Sequence, residues 1–235
     1  MSDGTQASVR SSALAAPVPV AAPSRPVPAV PAAAPSGPAP PVPAASLRSP
    51  TLAERVVSAG LWGVGFTYFV PVVSTLAAAI AVLGTDRTIA FQRAFAMGQV
   101  ILTGSRWVAN VHPKVDPERA YVFAQNHTNQ FDFVLANNAT PHFKQGLELE
   151  SHFKIPVYGW FMKARGGIPV RPGARGQSPE VMAHMRREVA AGHSILVFPE
   201  GTRTTDGRVG RFRTGSFFIA RDLGLPIVPV AVTGA

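Results

Sequence analysis

The sequence predicts an α/β fold, a mostly parallel sheet flanked by helices, preceded by a membrane-embedded helical segment. Three observations carry this. From residue 120 onward short apolar runs alternate with capped helical stretches, the order that builds a parallel sheet covered on both faces. Those runs are nearly continuous in apolar residues, as strands buried on two sides require. Residues 56–85 carry no charge at all and make about 45 Å of straight helix, against a hydrocarbon core of about 30 Å.

Taken in order, residues 1–50 read as a disordered Pro/Ala-rich tail. The stretch "APVPVAAPSRPVPAVPAAAPSGPAPPVPAASLRSP" has no aromatic residue and buries too little apolar surface to offset its ordering entropy. Residues 51–86 form the membrane-embedded segment, with Pro71 in mid-run, where a lost hydrogen bond and a steric clash predict a kink or break. Trp62, Tyr68, Arg55, Arg87 and Arg93 are candidate interface anchors. "TIAFQRAFAMGQVILTGSRW" is an amphipathic helix that suits either the bilayer surface or the face of the following domain.

Residues 87–235 form the α/β domain, which we expect to be truncated at its C-terminus, because the chain stops directly after the last strand. "AYVFAQN" is its first strand, and a short helix starts near Gln130. The next strand is "GGIPVR", residues 166–171. Ser178, Pro179 and Glu180 open a helix that carries Val181, Met182, Met185 and Val189 on one face and ends near Gly192. "SILVFPE" is a strand, "TGSFFIARDLG" a helix closed by Gly224, and "PIVPVAV" a last buried strand.

Composition narrows the function. With 22 Lys and Arg against 13 Asp and Glu the net charge is +9, which suits nucleic acid, an anionic membrane or a phosphorylated substrate. The arginines sit at strand ends without the aromatic platforms of a nucleic-acid module, so no nucleic-acid partner is expected. There is no cysteine, which excludes disulfides, zinc–thiolate sites and thiol nucleophiles. The six histidines form no metal-binding spacing, so no metal is expected. No pattern specifies an oligomeric state.

Ligands of parallel sheets gather at the carboxyl edge. Three polar clusters fall there: "NH" after the first strand, "RP" after the second and "PEGTR" after the third. In "NHTNQFD" Asp132 is placed to fold back on His127, and a carboxylate that fixes the tautomer leaves the other ring nitrogen as a general base. No serine, cysteine or lysine is set up as a covalent nucleophile, so the base would act on a substrate hydroxyl. Arg171 and Arg203 offer planar forks suited to phosphate. Between them Glu200 either orients the arginines or holds a substrate hydroxyl, Gly201 gives backbone access and Thr202 supplies a hydroxyl.

"NHTNQFD", "GGIPVRP", "FPEGTR" and "LPIVPVAVTG" stand in the order and approximate spacing of the four blocks of the glycerolipid acyltransferase family, which the chain resembles over roughly residues 85–234. The resemblance implies a glycerol-3-phosphate acyltransferase-like fold seated on the membrane. It implies His127 as base, with Asp132 holding it in the His-x4-Asp motif. Arg171, Glu200, Gly201, Thr202 and Arg203 would bind the acceptor, and Asn126 and Pro229 would shape the pocket. It further implies no cofactor, acyl-CoA or acyl carrier protein as co-substrate, and membrane lipids as partners. The expected setting is a membrane, the bacterial inner membrane if prokaryotic, with the catalytic domain facing the cytoplasm.

The expected acceptor is 1-acyl-sn-glycerol-3-phosphate, giving phosphatidic acid. Since proline follows the arginine in "GGIPVRP", another lysolipid such as lyso-ornithine lipid is the alternative acceptor. A membrane-tethered basic binding protein is the alternative outside enzymes.

Overall fold

Thr51 caps the first helix. Its hydroxyl accepts the Glu54 N–H and the Glu54 carboxylate accepts the Thr51 N–H at 2.7 Å, a reciprocal pair that satisfies two otherwise orphaned donors. The computed structural model describes residues 49–171, 178–204 and 208–233. All but the last two positions of the expected tail lie outside those residues.

Helix α1 runs from Leu52 to Leu83 and passes Pro71 without the break that was one of the two outcomes expected there. Both sides of the proline are seated on one surface, which offsets the missing hydrogen bond. The Tyr68 hydroxyl donates to the Phe95 carbonyl at 3.1 Å, and Val73 is fully buried. Gly98 permits this crossing, since a Cβ there would stand 2.1 Å from the Tyr68 hydroxyl. The chain reverses instead at Gly84, whose φ of +84° favours glycine, and continues as α2, Thr85–Leu102.

The two halves of α1 differ. Val73, Leu76 and Ile80 pack with Phe95, Phe153, Phe161 and Met162. Leu52, Val56, Leu61, Trp62, Val64 and Phe66 are exposed. As a whole the helix is long and apolar enough to cross a membrane. α2, left by its sequence between two surroundings, packs on α1 and on the α/β unit through Ala96 and Val100.

The sheet is parallel throughout, with order β3-β2-β4-β1-β5. β1 is Val122–Gln125, β2 Lys144–Leu149, β3 Ile168–Val170, β4 Ser194–Val197 and β5 Ile227–Val230. α5 (Pro179–Ala190) and α6 (Gly215–Leu223) cover one face through Val181, Met185 and Ile219 against Val122, Ile195 and Val197. α3 (Asp132–Ala139) covers the other, with Ala136 against Phe123 and Leu196. Ser178 accepts the Val181 N–H as the expected cap of α5, and Gly224 ends α6 in the left-handed region.

β2 and the short α4 (Tyr158–Ala164) were not anticipated. "KQGLEL" is polar, yet Lys144 and Gln145 are buried in mid-sheet. The fully buried Arg165 explains part of this. It donates to Gln92 of α2 at 2.9 Å, to Asn137 of α3 at 3.2 Å and to the Lys144 carbonyl at 3.0 Å, and its guanidinium lies between the rings of Phe133 and Phe143. One cation thus ties four elements together.

These contacts also orient the hairpin. Asp86, at the start of α2, meets His193 just before β4 at 2.9 Å, so the α1–α2 turn lies at the amino edge of the sheet. Ala96 and Val100, further along, pack on Val134 near the start of α3 at the carboxyl edge. The exposed half of α1, folded back over α2, therefore extends past the carboxyl edge.

Candidate active site

β1 ends at Gln125, and the chain turns over the carboxyl edge into α3. Asn126 fixes the start of this turn. Its Nδ2 donates to the Val232 carbonyl at 2.9 Å and its Oδ1 accepts the Val232 N–H at 2.7 Å, which clasps the loop to the exit of β5.

His127 Nδ1 lies 2.7 Å from Asp132 Oδ2. An ionised carboxylate only accepts, so Nδ1 carries the proton and Nε2 presents its lone pair. Asp132 is fully buried and also accepts the Thr128 N–H at 2.5 Å, the Thr128 hydroxyl at 3.0 Å and the Asn129 N–H at 3.0 Å. Burial pushes its carboxyl up, but the hydrogen bonds from His127, Asn129 and Thr128 outweigh this and hold it below its ordinary value. It also stands first in α3, where the helix dipole favours an anion. Gln125 Nε2 donates to the Asp132 carbonyl at 3.0 Å, and the Phe198 ring stacks on the imidazole with centroids 4.0 Å apart.

The loop after β4 meets this turn. Glu200 is buried, with one oxygen accepting the His127 N–H at 2.8 Å and the other the Gly210 N–H at 2.8 Å. The Thr204 N–H donates to the His127 carbonyl at 2.9 Å. Arg203 reaches over the rim and donates to Gln130 at 2.7 Å. Gly201 has φ +72°, and a Cβ there would press on the Arg213 side chain at 3.1 Å, so both conformation and space call for glycine.

A cleft of about 400 Å³ beside this loop is lined by Glu200, Thr202, Arg203, Thr204, Arg208, Val209, Gly210 and Arg211. A neighbouring recess of about 480 Å³ adds Phe212, Arg213 and Thr214. Arginines dominate the charged lining of both, and guanidinium forks suit an anionic group.

The structure thus brings His127, Asp132, Asn126, Glu200, Gly201, Thr202 and Arg203 to one rim. Arg171 stands apart. It follows β3, three strands from β1 in the sheet order, or about 14 Å at the usual strand spacing. It is exposed and donates to Glu150 at 3.0 Å. Pro229 pairs with Ala124 in register but is exposed on the edge strand β5, a position that tolerates a residue without an N–H. Val232, paired with Asn126, ties the exit of β5 to the loop after β1.

Sequence reasoning missed Arg211 and Arg213, although "GRVGRFRTG" follows the third block closely enough to mark them. It also missed Phe198, Gln125 and Thr204, which no local pattern flags. Among the described residues no group of His, Asp and Glu is arranged to hold a metal ion.

A family model described as Acyltransferase matches residues 108–233. A chloroplastic 1-acyl-sn-glycerol-3-phosphate acyltransferase of Brassica napus is 33% identical over 113 residues, 48% of this chain and 33% of that one. The 1-acyl-sn-glycerol-3-phosphate acyltransferase of Escherichia coli is 32% identical over 116 residues, 48% of this chain and 46% of its own. The matches thus span about a third to a half of the length of these relatives. In fold, the crystal structure of the 1-acyl-sn-glycerophosphate (LPA) acyltransferase from Thermotoga maritima superposes with a TM-score of 0.62 at 19% identity, covering 77% of this chain and 74% of that one.

Proposed function

Since the chain belongs to the acyltransferase family, we propose that it moves a fatty acyl group from acyl-CoA or acyl carrier protein to the free hydroxyl of a lysophospholipid. The acceptor is 1-acyl-sn-glycerol-3-phosphate and the product phosphatidic acid, in keeping with the names of its relatives. The observation that carries this reading is the His127–Asp132 pair at 2.7 Å, set on the same rim as the arginine-lined cleft.

In this reaction the acceptor hydroxyl attacks the thioester carbonyl carbon while His127 Nε2 takes its proton. The tetrahedral intermediate collapses, the C–S bond breaks, and the proton passes from the imidazolium to the leaving thiolate. An ester and a free thiol result. Asp132 stabilises the transient imidazolium without accepting the proton, as its lowered pKa favours. Arg203, with Arg211 and Arg213, holds the acceptor phosphate, and Gly201 and Thr202 let it approach the backbone. Arg171, farther along the same edge, is the expected acceptor contact on the side of β3. The catalytic unit faces the cytoplasm, where such donors are made.

The test is an assay of purified, detergent-solubilised protein with labelled acyl-CoA or acyl carrier protein and a panel of lysolipids. Label is expected in phosphatidic acid. Label entering only lyso-ornithine lipid would move the acceptor to the other lysolipid class. Label in no lipid would overturn the proposal.

A further inference from the structure

We propose that Glu200 is a positioning residue for His127, acting through the backbone of the catalytic loop and not by touching the acceptor; this rests on the acyl-transfer reading above. The sequence suggests that a carboxylate between arginines steers them or holds a substrate hydroxyl. The geometry occupies it otherwise. Glu200 is 4% exposed, and each of its oxygens already accepts a backbone N–H, from His127 and from Gly210, at 2.8 Å. A carboxylate with both oxygens on amides and almost no accessible surface is poorly placed to recognise a ligand.

Its two partners are informative. The His127 N–H belongs to the residue whose imidazole must hold Nε2 at the acceptor hydroxyl. The Gly210 N–H belongs to the arginine-bearing segment that lines the cleft. The Thr204 N–H on the His127 carbonyl adds a second tie, and the Arg213 N–H donates to the Pro199 carbonyl at 2.8 Å beside it. The histidine's backbone is therefore held on both sides by the loop that carries the arginines, with Glu200 as the anionic half of the staple. Charge-assisted bonds of this kind are the stronger ones, and a displacement of about 1 Å at a reacting group costs about 10²-fold in rate.

Gly210 belongs to the same device. A Cβ there would stand 3.0 Å from Glu200 Oε2, so alanine would press on the carboxylate. Gly210 is absent from the positive-φ positions, so alanine adds no backbone strain.

The test uses the whole chain in detergent with acyl donor and 1-acyl-sn-glycerol-3-phosphate. Glu200→Gln retains one acceptor oxygen but sets an amide NH₂ against the other N–H. Its kcat should fall about 10- to 100-fold with acceptor KM within about twofold of the parent. Arg203→Gln should do the reverse, with KM raised about tenfold or more. Gly210→Ala should lower kcat about 3- to 10-fold at unchanged KM, and it decides the matter if Glu200→Gln fails to fold. NMR of ring-labelled histidine supplies a readout independent of turnover: the His127 resonance, identified by its loss in His127→Ala, should shift in Glu200→Gln and Gly210→Ala. A raised acceptor KM at unchanged kcat, or an unmoved His127 resonance, would overturn the proposal. Absence of lysolipid transfer by the parent protein would strike the proposed activity, and the NMR comparison would still decide the role of Glu200.

Discussion

At His127 the partner matters more than the ring. A free imidazole tumbles and exchanges its proton between two nitrogens, whereas Asp132 binds Nδ1–H at 2.7 Å and leaves Nε2 basic. Thr128 and Asn129 hold the carboxylate in turn, so its direction is set before any substrate arrives. Asp132→Asn keeps the volume but offers an NH₂ that favours the other tautomer. Turnover is expected to fall about 10²- to 10⁴-fold with acceptor binding retained; activity within a few-fold of the parent would remove Asp132 from the site. Its lowered pKa has a stability consequence as well. A carboxyl depressed in the folded state contributes stability that is present above its unfolded value, about pH 4, and is lost as pH falls through the folded value.

Among the elements, β2 behaves least as its sequence suggests. Its first residue, Lys144, is 1% exposed and donates to the Thr140 hydroxyl at 2.7 Å. Burial, with Arg93 and Arg165 nearby, pushes its amine down to about 7. Between pH 7 and its unfolded value of about 10.4 the unfolded chain binds the extra proton, so stability should rise with pH across that window. In Lys144→Met that rise should flatten by about 1 kcal/mol per pH unit between pH 7 and 9, read from thermal unfolding in detergent. Identical slopes would show the amine to be charged and solvated.

The same strand shows where sequence reasoning ends. Strands such as "SILVFPE" were legible because burial on two faces selects apolar residues. "KQGLEL" was not, because Gln145 is satisfied by Arg165 and Glu188, which are brought beside it only by folding. At Pro71 the helix runs on without a break, seated by packing on both sides of the proline. His127, Asp132 and the third block were readable because their chemistry is local. Arg171 also ends its strand at the carboxyl edge, whereas Pro229 lies within β5.

On the scale of the molecule, the exposed half of α1 and the catalytic rim lie toward the same end. A membrane crossed or held by this apolar helix would thus lie on the side of the site, where the proposed lipid acceptor is found. Leu61, Trp62, Val64 and Phe66 are 55–66% exposed and contribute little to internal packing. Replacing all four with serine or glutamine should move the protein from the membrane to the soluble fraction, with Tm changed by less than about 2 °C in detergent. Retention on the membrane would assign the anchor to another surface.

The proposed reaction turns on one proton transfer, from a lipid hydroxyl to His127 Nε2. Single-turnover acyl transfer by His127→Ala, with saturating 1-acyl-sn-glycerol-3-phosphate and its binding measured in parallel, tests this most directly. The expected result is a rate about 10²- to 10⁴-fold below the parent with acceptor affinity unchanged. Transfer at the parental rate would contradict it.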